Sequence, residues 1–494
     1  MFTTVALVVG YPIVAVLSVL LVVFVLRLIQ VQFLSPAVSE VHLEQKQHYL
    51  DSVKAAPTEA PNIVIIFFDD LGWGDLSSYG SQLIDTPHID SVAQQGLKMT
   101  DFYSASPVCT PSRAALLTGR YPPRTRTDRH VFFPDSSLIG TGRRMIGLAN
   151  ALPKEEITIA EVLAQAGYRT HMIGKWHLGD AAGYRPTDFG FQNWYGLLFS
   201  NDMYPLDLYR NNEIVIEDQR AGSFFSNERD EMSPLQGLGV DQQGLTTLYT
   251  DEAVSFLESV GDTPFFLYLS HTFPHVPHYP STAYAGNSKG GRYGDVVEDL
   301  DRSTGTIMQA LARLDLAANT IVMITSDNGA DYNGSPGMLR GRKGEILEGG
   351  QRVPMIVRWP GRVEASSNSR AMAMNTDIFP TLMGLTGQPL PDDRVIDGRD
   401  LSKLWLHGGD SPHDYLYYFP VLDSLPGAIR DGDLKLLLSS KDLGRDRPHL
   451  SRLQHDTENH EVGNLYPKRG EMLKQALLNK RQQVADNPRG WIDN

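Results

Sequence analysis

Cys109 is the only cysteine in 494 residues, and its surroundings, SPVCTPSRAALLTGR, read as a loop running into a helix. Thr110 suits the cap of that helix, Pro111 its first turn and Gly119 its end, so Cys109 is expected beside unpaired backbone N–H groups that favour an anion. Arg113 lies one turn further on. Helical Cα–Cβ bonds tilt toward the N-terminus, so its planar, permanently charged fork reaches back to the same point. An arbitrary lone cysteine is a small buried hydrophobe. The fixed spacing to proline and arginine favours a reactive site here.

Four apolar runs each finish in polar, reactive residues, and open α/β sheets collect ligands outside the carboxyl ends of their strands. NIVIIFF ends in Asp69 and Asp70, and YRTHMI leads to Lys175 and His177. PFFLYLS leads to His271, His275 and His278, any one of which can face a site, and TIVMITS ends in Asp327 and Asn328. A single acidic residue after a strand usually begins a turn or caps a helix. Four such ends together point to one site. Three carboxylates and an amide oxygen form a hard donor set that selects calcium or magnesium and disfavours zinc. Without a cation they would repel one another and raise their own pKa values. Lys175 and His177, two apart, share one side if the segment is extended. Arg113 and one of the three histidines add to this basic set.

The elements that must carry these residues alternate between strand and helix from Pro61 onward. The clearest helix is ITIAEVLAQAG, with a capping box at Thr158 and Glu161 and a glycine stop at Gly167. Repeated βα units predict a large, mostly parallel sheet flanked by helices. After about Leu390 the pattern changes to short strands around turns and a polar helix near Glu471 to Ala485, a smaller C-terminal subdomain with a short antiparallel sheet and a helix. The expected division is an N-terminal segment over 1–33, a polar linker over 34–60, a catalytic domain over 61–400 and a C-terminal subdomain over 401–494. One cysteine excludes internal disulfides. With 58 acidic against 44 basic residues the formal charge is −14, which argues against nucleic acid as a partner and requires a local basic pocket for any anionic substrate. No charged side chain occurs from Phe2 to Leu26, a length that predicts an uncleaved transmembrane anchor, with a cleaved signal peptide as the alternative.

C-x-P-S-R followed by AALLTGR resembles the sulfatase signature. NIVIIFFDDLGWGDLSSYG, GYRTHMIGKWHLGD, SDNGA and GRKGEILEGGQRVPMIVRWPG resemble further sulfatase blocks in the family's order, with wording nearest the arylsulfatase A group. The resemblance implies an alkaline-phosphatase-like α/β sandwich. It implies that a maturation enzyme oxidises Cys109 to formylglycine (3-oxoalanine), and that Asp69, Asp70, Asp327 and Asn328, with the hydrated aldehyde from Cys109, hold one Ca2+. The hydrate would attack sulfur in line with the leaving alcohol, steadied by Arg113 and Lys175. His275 or Lys343 would protonate the departing oxygen, and His177 would take the last proton so that sulfate leaves. Of the three histidines, the family pattern of one after Pro and before x-Pro fits His275. Lys343 matches a sulfate-contacting lysine, and Ser200 in LLFSNDM a further sulfate contact.

The implied activity is hydrolysis of sulfate monoesters, aryl sulfates as test substrates and a sulfated carbohydrate or glycolipid in nature, outside the cytoplasm. A phosphate or phosphonate ester hydrolase on the same fold is the nearest alternative, and an inactive scaffold with unmodified Cys109 is another. Trp73, Tyr204 and Tyr279 either stack on a substrate ring or pack.

Overall fold

The run NIVIIFF forms strand β1 (Asn62–Phe68) and is buried throughout. Its pleat sends Ile63, Ile65 and Phe67 into one core and Val64, Ile66 and Phe68 into another. A strand apolar on both sides belongs inside a sheet covered on both faces. That is its setting in the computed structural model, which describes residues 18, 22, 38–57, 59–219, 239–439, 444, 446–453 and 458–492.

Ten further strands join it: β2 (Leu97–Tyr103), β3 (Arg169–Lys175), β4 (Asn193–Leu197), β5 (Leu208–Arg210), β6 (Glu213–Ile216), β7 (Phe265–Ser270), β8 (Thr320–Ser326), β9 (Arg352–Arg358), β10 (Ser367–Ser369) and β11 (Ala373–Met374). Their order is β10-β2-β9-β8-β1-β7-β3-β4-β5-β6, with β11 against β2. The centre, β8-β1-β7-β3, is parallel, whereas β9 runs antiparallel to both β8 and β2. The helices Cys109–Thr118, Ile159–Gln165 and Ile378–Thr386 cover one face, and Pro87–Gln94, Leu245–Ser259 and Gly291–Arg313 cover the other. The chain then builds a four-stranded antiparallel sheet from β12 (Leu416–Tyr418), β13 (Ala428–Asp431), β14 (Leu434–Leu437) and β15 (His449–Arg452), backed by the helix Pro467–Asp486. The expected α/β architecture is therefore present.

The capping box at Thr158 is formed: its hydroxyl accepts from Glu161 N–H, and Glu161 accepts from Thr158 N–H. The same hydroxyl donates to Phe189 O at 2.7 Å. Thr158→Ala is expected to cost about 1–2 kcal/mol, because a cap and a buried partner are lost together. A lower denaturant midpoint with unchanged activity per folded molecule is the readout.

Two expectations are corrected. Thr110 does not cap its helix: the N-cap is Val108, with no side-chain cap bond. The Thr110 hydroxyl is drawn instead into a buried junction, donating to His177 O and accepting from Phe132 N–H, both at 3.0 Å. The transmembrane assignment is also corrected, since among the described residues no helix is long and apolar enough to cross a membrane. The apolar run that prompted it, within 1–33, lies almost entirely outside the described residues.

Candidate active site

The four polar strand ends meet because β8, β1, β7 and β3 are consecutive parallel neighbours. At β3 a glycine makes this possible. Gly174 has φ 101°, and a Cβ there would lie 1.9 Å from Ser270 O, so only glycine lets the ends of β3 and β7 approach.

One ligand atom each from Asp69, Asp70, Cys109 and Asp327 lies within 4.8 Å of the other three, and all four residues are buried. Asp69 accepts from Lys175 Nζ at 2.5 Å and from the Cys109 thiol at 3.4 Å. Asp70 accepts from Lys343 Nζ at 2.7 Å and from Asn328 Nδ2 at 2.7 Å, with His275 Nε2 at 3.8 Å. Arg113 grips Asp327 Oδ2 through Nε at 3.0 Å and Nη2 at 2.7 Å, and its Nη1 donates to Ser270 Oγ at 2.6 Å and Lys175 O at 3.1 Å. Its donors are thus turned on the protein, and the fork sets the carboxylates rather than standing open.

Electrostatics divide the carboxylates. Burial opposes the charge of Asp69, but Lys175, His275, Arg113 and Lys343 outweigh it and hold the carboxyl well below its usual range. Burial and the neighbouring Asp69 push Asp327 up to about 6. Burial, then Asp327 and Asp69, drive the Cys109 thiol well above its ordinary value. A thiolate is therefore disfavoured there, so the unmodified residue is a poor nucleophile. Burial also lowers Lys343, but Asp70 and its neighbours reverse that and hold the ammonium charged.

The residues present fit a hard cation. Asn328 Oδ1 is buried without a hydrogen-bond partner beside three carboxylates, an arrangement that costs stability unless something accepts the oxygen's lone pairs. The sulfur is the one soft donor, and it is the atom that oxidation to an aldehyde would replace by oxygen.

His177 does not share an extended segment with Lys175. Its φ is 60°, it follows the end of β3, and its Nε2 faces Phe132 O at 3.0 Å. Its Nδ1 is buried without a partner, and burial with Lys175 and Arg113 holds the ring well below its usual pKa. With Nε2–H donating to a carbonyl, Nδ1 carries the lone pair. Of the three later histidines only His275 meets the cluster. His271 N–H continues the strand pairing to Phe67 O, and its ring stacks on Phe68 in the far core; His278 lies edge-on to Tyr293. Ser200 Oγ accepts from Lys175 Nζ at 2.6 Å. Trp73, Tyr204 and Tyr279 all pack against the second core.

Sequence reasoning missed Ser270, which accepts from Arg113 and donates to Lys175 O at 2.9 Å. As the last residue of β7 it stood at a strand end, the signal used for the other ligands, but the histidines after it drew the attention. Ser270→Ala is expected to lower kcat/KM about tenfold, the value of one charge-assisted hydrogen bond. Unchanged kinetics would remove it from the site.

Family-model comparison matches residues 61–388 to the sulfatase model and residues 342–483 to the model described as N-sulphoglucosamine sulphohydrolase, C-terminal. The chain is 38% identical to human arylsulfatase A over 397 residues, 77% of this chain and 75% of the relative. It is 37% identical to the N-acetylgalactosamine-6-sulfatase of Canis lupus familiaris over 382 residues, 74% of this chain and 69% of that one. A Bacteroides thetaiotaomicron structure from work on the metabolism of multiple glycosaminoglycans superposes with a TM-score of 0.75 at 30% identity, covering 86% of this chain and all of the other. The chain belongs to the sulfatase family. Its class of reaction is the hydrolysis of sulfate esters.

Proposed function

We propose that the chain hydrolyses sulfate monoesters of carbohydrates through a formylglycine hydrate made from Cys109, with one Ca2+ held by Asp69, Asp70, Asp327 and Asn328. The observation that carries this reading is the state of Cys109, a buried thiol among carboxylates that disfavour its thiolate. The carbohydrate assignment is supported by the relative named for N-acetylgalactosamine 6-sulfate and by the glycosaminoglycan setting of the Bacteroides structure.

Once in place, the aldehyde hydrate supplies an oxygen nucleophile and the cation withdraws charge from it and from the sulfate oxygens. The chain does the rest. Lys175 and Ser200 offer donors to the sulfate, and Lys175 stays oriented by Asp69. Arg113, fixed by Ser270, holds Asp327 in position. His275 and Lys343 stand on the Asp70 side, where a charged donor can protonate the leaving oxygen. His177, kept neutral by burial and neighbouring cations, accepts the proton whose loss releases sulfate.

Charge provides the test. Three carboxylates are matched by Arg113, Lys175 and Lys343; a divalent ion offset by the negative charge of an ionised hydrate oxygen would leave one positive charge, suited to a singly charged sulfate ester. A phosphate monoester carries nearly two charges at neutral pH, its second pKa being about 6. An aryl sulfate is expected to have a higher kcat/KM than the matching aryl phosphate on one preparation, with both collapsing in Lys343→Ala. Faster phosphate turnover would overturn the reading. Sulfate release from a panel of sulfated glycans identifies the alcohol.

A further inference from the structure

Lys343 reaches Asp70 from a loop whose backbone is pinned at two consecutive residues. Lys343 N–H donates to Ala330 O, and Gly344 N–H donates to Pro107 O beside Cys109, both at 2.8 Å. Three residues on, Ile346 and Leu347 enter an apolar cluster with Ala115 of the Cys109 helix and with Leu416, Tyr418, Ala428 and Leu437 of the antiparallel sheet. The loop is therefore wedged between the nucleophile's helix and the C-terminal sheet.

In that wedge lies Lys435 on β14, a lysine with no solvent exposure. Its ammonium donates to Ile346 O at 2.8 Å and Glu348 Oε1 at 3.0 Å, and meets Glu458 Oε1 at 2.9 Å. Two of the ammonium's three donors are thus hydrogen-bonded, and Glu458 supplies an ion pair beside them. Glu458 also accepts from Glu348 N–H at 2.7 Å, so the lysine on β14 and the glutamate in the segment after β15 grip the same stretch of chain from the C-terminal side. A buried lysine is expensive unless fully paired, and a neutral apolar residue would fill the same space at lower cost. None of these three partners belongs to the carboxylate cluster around Cys109. What it holds is the segment that follows Lys343.

We infer that Lys435 is a positioning residue: with Glu458 it fixes the loop 343–348 so that the Lys343 ammonium meets Asp70 and the reacting ester. This rests on the reading of Lys343 as a group acting on the sulfate ester. A shift of about 1 Å in a catalytic group costs on the order of a hundredfold in rate.

The test is a mutant cycle on the full chain, with an aryl sulfate as substrate. Lys435→Met combined with Glu458→Gln removes the ammonium without leaving Glu458 charged and unpaired. It is expected to lower kcat/KM roughly 10- to 100-fold in the wild-type background and in Ser200→Ala, but less than about twofold in Lys343→Ala. A merely structural role would cost the same in all three backgrounds, and that result, or full activity of the double variant, overturns the proposal. Glu458→Gln alone keeps an acceptor for Glu348 N–H and reads the same network with less risk to folding; its expected loss is a few-fold and is again absent in Lys343→Ala. Wild-type activity of Lys343→Ala would instead refute the underlying role of Lys343.

Discussion

Cys109→Ala is expected to reduce sulfate-ester turnover by roughly 10,000-fold or more while leaving the chain folded. Cys109→Ser is expected to do the same, because a serine side chain carries a single hydroxyl and does not form the aldehyde hydrate without being oxidised itself. Among the described residues its apolar cluster is small, Val108 and Val131 with the partly buried Phe133, Met203 and Val421, so its truncation removes little apolar contact. A small fall in unfolding midpoint beside a near-total loss of activity is the combined signature. Substantial activity in Cys109→Ala would mean that the oxygen attacking sulfur comes from elsewhere. Expression without the maturation system is expected to give a folded protein of low activity for the same reason.

Asp327→Ala should abolish activity and metal binding together, by on the order of a thousandfold in kcat/KM. Asp327 contributes one oxygen to the cluster and is the anchor for two Arg113 donors, so its removal leaves a buried guanidinium half paired. The predicted coupling is specific: elemental analysis of wild type gives one calcium per chain, and the variant gives none. Stoichiometric zinc in the wild type, or full activity after exhaustive chelation, would contradict the hard-cation site.

Much of this was legible in the sequence because it depends on local pattern. The unbroken apolar run in NIVIIFF, the Thr158 and Glu161 pair and the polar residues closing four apolar runs are all written within a few positions. Each reports on burial, capping or strand ends directly. What stayed hidden depends on approach between distant segments. Three histidines within eight residues offered equal chemistry, and His275 is the one that meets Asp70 because His271 is still held in strand pairing by Phe67 O and so turns into the far core. The Thr110 hydroxyl looked like a cap until two backbone groups, on Phe132 and His177, were brought to it. His177 was expected beside Lys175 on an extended segment, and a left-handed turn carries it away. The Lys435 clamp joins positions 87 and 89 residues apart, and nothing around Lys435 in the chain marks it as more than a residue of a short strand.

The most direct test is the mass of the peptide containing Cys109 from purified protein that releases sulfate. Conversion of the side chain from CH2–SH to an aldehyde replaces one sulfur and two hydrogens by one oxygen. A peptide lighter by that difference, in a fraction that rises in proportion to specific activity across preparations, is the predicted result. Fully active enzyme whose Cys109 peptide carries only the unmodified thiol would contradict the account.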